Sequence, residues 1–159
     1  MGAGLLLLCL VSGAQSSYGV RKVNAFFSEH LPGIIPVDND GNSSYHGPDT
    51  IHTIYIETNG AFIKWTGAWK DGKSFSVNTV AITDIPFEAG INKIDNKKVL
   101  LKPAAGNKLW LLELQQKEHS SKPPVKIRPG EIILQGKTGR QTIIQRISSQ
   151  TELASIPSV

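Results

Sequence analysis

The chain has 159 residues and carries 17 Lys and Arg against 13 Asp and Glu, a formal net charge of +4 in a length that suits one domain. Its single cysteine, Cys9, lies in an apolar run near the N-terminus. Removal of that run therefore excludes disulfides, cysteine-bound metal and a thiol nucleophile together. Apart from Lys122, Lys126 and Arg128 the basic residues are scattered, which points to ordinary solubility rather than to nucleic acid or another polyanion.

In chain order, residues 5–11 are unbroken apolar sequence, followed by the small residues Ser12, Gly13 and Ala14. That order is the mark of an export signal, so residues 1–14 are expected to be removed, with the mature chain starting near Gln15. The run falls well short of the roughly 20 apolar residues of a membrane span. No transmembrane segment is expected in the mature chain. The signal is unusual in having neither Lys nor Arg in residues 1–4. A cysteine-free exported domain of this size relies on its core alone, which favours a bacterial periplasmic or secreted protein.

Residues 20–28 fit a strand period and a helix period equally well, leaving a short N-terminal helix open. Beyond them, turn dipeptides organise the chain. Asn59 with Gly60, and Asp71 with Gly72, suit the left-handed dihedrals of tight hairpin turns and predict a three-strand meander over 51–83. Further strands are expected at 91–94, 98–102, 108–116, 125–128, 131–135 and 140–148, with turns at 95–96, 103–107, 129–130 and 136–139. The run Leu109, Trp110, Leu111, Leu112 does not alternate, as suits a central strand buried on both faces. The fold expected is all-β, an antiparallel β-sandwich of about seven to nine strands, or a β-barrel. It occupies 15–150, ahead of a weakly ordered tail at 151–159.

Two segments suggest sites. Tyr55, Trp65 and Trp69 fall on adjacent strands of the expected meander, with Gly67 between the tryptophans. An exposed row of this kind stacks sugar rings; with Ile63 on the same face, a core role competes. Asp38, Asp40, Asn42, Ser44 and Asp49 stand where a calcium loop places alternate oxygen ligands, and the order resembles the EF-hand loop. It departs at Ser43, where that loop has glycine, and at Asp49, where it has the longer glutamate. A polar hairpin loop is the competing reading. His46 and His52 stand six apart, a spacing that suits no regular two-ligand metal site.

No nucleophile motif accompanies these residues, and the acids Glu57, Asp84, Glu88, Glu113 and Glu131 form no pair recognisable by spacing. Lys137, Thr138 and Gly139 match a penicillin-binding element but lack its Ser-x-x-Lys. The expectation is an exported, non-catalytic binding or structural domain with a protein or glycan partner. The alternatives are a carbohydrate-binding module with an aromatic face, assisted by Ca2+, and a small secreted enzyme with dispersed acids.

Overall fold

The computed structural model describes residues 19–30, 37–43, 47 and 49–155; the expected signal segment lies outside them. The described chain is all-β, without helix. Its strands are β1 (Val20–His30), β2 (Asp49–Thr58), β3 (Lys64–Lys70), β4 (Lys73–Ile82), β5 (Phe87–Ile91), β6 (Lys98–Leu101), β7 (Lys108–Gln116), β8 (Ile132–Thr138), β9 (Gln141–Ile147) and β10 (Thr151–Glu152). Eight of them form one sheet in the order β10-β1-β2-β7-β4-β3-β8-β9, and β5 with β6 forms a separate hairpin. All pairs are antiparallel except β1 with β10. No helix among the described residues is long and apolar enough to cross a membrane.

The large sheet curls into a half-barrel, the barrel-like form of the expected fold. Period-two alternation turns Ala25, Ile54 and Leu112, in register across β1, β2 and β7, to one side, together with Val77 of β4, opposite Leu114. They join residues from β8 and β9 in a single apolar cluster, so this side is the concave one. Ile54, Ile56, Leu112, Ile132 and Leu134 are fully buried there. Each such side chain contributes about 1.5–3 kcal/mol of transfer free energy. On the convex side, Phe26, Tyr55 and Leu109 form a second cluster with Leu101 of β6 and Leu153, beneath the β5–β6 hairpin. Apolar cover on both sides of β7 explains its non-alternating run.

Several expectations are revised. Residues 20–28 belong to β1, not to a helix. Asp71 and Gly72 do make the β3–β4 hairpin, with φ of 48° and 76°. The meander stops there, because β7 and β4 stand between β2 and β3. At Asn59 and Gly60 only the glycine has positive φ, so the two-residue turn that needs both is not formed. Instead residues 59–63 cross the concave side. Phe62 meets the Trp110 ring edge-on at 5.7 Å, and Ile63 enters the core.

Gly136 is no turn residue. It lies buried within β8, where a Cβ would come within 2.8 Å of Ile63 and 2.9 Å of Trp65. Residues 125–128 form no strand; the turn after β8 falls at Gly139 and Arg140. The expected loose tail begins instead with β10, which pairs Thr151 with Phe26 and buries Leu153.

Candidate functional site

The aromatic candidates are not on one face. On β3, Trp65 pairs with Gly136 and Gly67 with Gln135, leaving Thr66 as a bulge residue. One extra residue reverses the side to which the following side chains point. Trp65 therefore packs into the concave core, whereas Trp69 lies on the convex side, opposite Ser74 and Ile133. The Trp69 indole Nε1 donates to the Ser121 carbonyl at 3.1 Å, and its ring covers the space beside Gly67. Tyr55 is wedged between Phe26 and Phe87 at 5.8 and 5.5 Å. Its hydroxyl pKa is raised by burial and by the nearby Glu113. At 4%, 5% and 9% exposed, Tyr55, Trp65 and Trp69 form no stacking row.

The acidic segment folds as a tight hairpin loop. Val37 bridges Ser43, and Asp38 Oδ1 accepts the backbone N–H groups of Asp40 (3.0 Å) and Asn42 (2.8 Å). Asp38 is thus committed to holding the turn, the ordinary use of aspartate there. Asp40 and Asn42 are exposed beside it, and Asp49 begins β2, paired with His30. Among the described residues no three His, Cys, Asp or Glu side chains gather as a metal site. Ser44 and His46 lie outside the described residues.

The acids remain dispersed. Glu57 is buried and accepts the Ala104 N–H at 2.9 Å and the Asn107 amide, holding the turn before β7. These bonds, the Asn107 one foremost, keep its pKa below the usual value. Glu131 likewise accepts from the Arg128 N–H at 3.0 Å and from Arg146 at 2.9 Å. Each carboxylate anchors its own loop.

What the structure gathers instead is a cleft of about 660 Å³ at one end of the half-barrel. The opposite end is occupied by Ile63 of the crossing segment, near the end of β8, with the exposed Phe62 lying against Trp110 near the start of β7. The cleft opens where β2 begins, β7 ends and the β3–β4 turn lies. Phe27, His52 and Phe75 continue the concave-side alternation to its edge; Phe75 is 7% exposed. Thr50, Gln116 and Gln150 add polar groups, and Asp49, Lys70, Asp71 and Lys73 surround them.

His52 is held by two contacts. Its Nδ1 lies 2.8 Å from Gln150 Oε1, and its ring meets Phe75 edge-on at 6.1 Å. Burial, reinforced by Lys70 and Lys73, lowers its pKa despite the Gln150 bond and Asp71. The neutral ring donates from Nδ1 to Gln150, which makes Nε2 an acceptor. Lys70 pairs with Asp71, whose pKa is lowered chiefly by that contact. His52 stands out in the sequence only as half of the unpromising His46–His52 pair. Its partners are drawn from β1, β4, β7 and the segment after β9, and no local motif joins them. No family model, curated protein or solved structure matches the chain.

Proposed function

We propose that this protein is an exported, non-catalytic binding domain that takes its ligand in the cleft at the open end of the half-barrel. The observation that carries this reading is the difference between the ends: Ile63 from the crossing segment fills one, whereas the other opens into a cleft with Phe27 at its floor and a polar rim. A concave site of this size is within the range of small-ligand pockets, and this one is lined mainly by polar and charged side chains. Export rests on the apolar run and small residues of the first fourteen positions.

Two measurements test the two halves of the proposal. Mass spectrometry of the chain expressed in a bacterial host should find an exported form beginning at or near Gln15; an uncut chain retained in the cytoplasm overturns the export half. Native mass spectrometry against a low-molecular-weight envelope extract should show a bound species that Gln116→Trp, which fills the cleft, displaces. Ile94→Trp, at a position 88% exposed and outside the cleft, should leave it bound. Equal retention by both variants, or no bound species, overturns the binding half.

A further inference from the structure

The cleft's chemistry narrows its ligand; this step rests on the binding reading above. Its charges cancel. Lys70 is neutralised by Asp71, with the Lys70 side chain only 13% exposed. Lys73 and Asp49, one of each sign, complete the charged lining among the described residues, and His52 is neutral for the reasons given. A formally charged ligand would meet no net complement of opposite sign among these residues.

The other groups suit hydroxyls. The His52 Nε2 and the Asp49 carboxylate accept, the Lys73 ammonium donates, and the Gln116 amide does both. Hydroxyls likewise give and take hydrogen bonds. Beneath them the half-buried Phe27, backed by the buried Phe75, supplies apolar ring surface, which suits the C–H face of a sugar ring. A volume of about 660 Å³ leaves room for more than one sugar ring.

We infer that the cleft binds a short neutral saccharide, held between the Phe27 ring and the His52, Gln116 and Asp49 rim. This moves sugar recognition away from Tyr55, Trp65 and Trp69, which are buried elsewhere.

The test is an NMR titration of the full chain at pH 7.5, following the His52 and Phe75 ring signals. Two probe sets are used: neutral di- and trisaccharides (maltose, cellobiose, xylobiose, mannobiose, N,N′-diacetylchitobiose and their trimers) and charged ones (glucuronate, galacturonate disaccharide, glucosamine). Saturable shifts of both rings with a neutral saccharide, weakened about tenfold in Gln116→Ala, are the expected result, the loss of roughly one good hydrogen bond. Gln116 is exposed, so this variant keeps the fold. Saturation with charged probes alone overturns the saccharide inference and leaves a binding cleft standing. Absence of cleft shifts with every probe overturns the saccharide inference, while the extract experiment above independently decides the binding reading.

Discussion

The two ends of the half-barrel share the same strands but are finished in opposite ways. At the closed end the chain itself enters the concave space: Ile63 lies against Gly136 and Trp65, and Phe62 against Trp110. At the open end the same faces finish in Phe27, His52 and Phe75, and among the described residues no segment crosses the space between them. One curled sheet thus provides a packed base and a shaped opening. Side chains near the base should govern stability, and those at the rim should govern what binds.

The sharpest way to break this contrast is Ile63→Ala. It removes the residue that fills the closed end, 3% exposed, and should cost about 2–5 kcal/mol in chemical denaturation. A cost near zero would mean that the crossing segment does not plug the barrel. Gly136→Ala comes next, at about 1–3 kcal/mol, because the new methyl would have to displace Ile63 and Trp65. Equal stability of variant and parent would sink the close packing described for β8.

The open end should respond to acid first. The folded pKa of His52 is lowered below 6.5, so the unfolded chain binds its proton more readily. Its contribution is complete above pH 6.5 and declines as the pH falls from there toward the folded pKa. Thermal melts at pH 7.5 and 5.5 should show a drop that His52→Gln reduces. Glu57, lowered from 4.5, adds its own loss only at more acidic pH. The smallest effect is expected for Lys73→Ala on the cleft rim, within about ±0.5 kcal/mol of the parent. A larger loss would make the rim part of the structural core.

What the sequence makes legible is local. Asp71 and Gly72 both adopt the left-handed conformation that their chemistry favours, and their hairpin follows. The run Leu109–Leu112 correctly marks β7 as central because burial on two faces erases alternation. Non-local choices leave no such mark. Asn59 and Gly60 carry the same turn chemistry, yet β2 finds β7 as its neighbour, a pairing set by the whole sheet. The Thr66 bulge is equally silent: unbroken alternation would place Trp65 and Trp69 together, and one extra residue separates them across the sheet. The cleft is least legible, since its lining comes from strands far apart in sequence and none of its residues is unusual alone.

The parallel pairing of β10 with β1 sets the order in which the molecule can be completed. Phe26 waits for Thr151, and the convex cluster waits for Leu153. Nearly the whole described chain must be made before the first strand acquires its outer neighbour. Long-range pairings of this kind slow folding, because chain entropy is lost before the contacts reward it. Until they form, the outer edge of β1 lacks its cover at Phe26 and Phe27, and that stretch of backbone is able to pair with another chain. Those few late residues therefore act as the latch of the fold, and a chain stopped short of Thr151 should aggregate through β1.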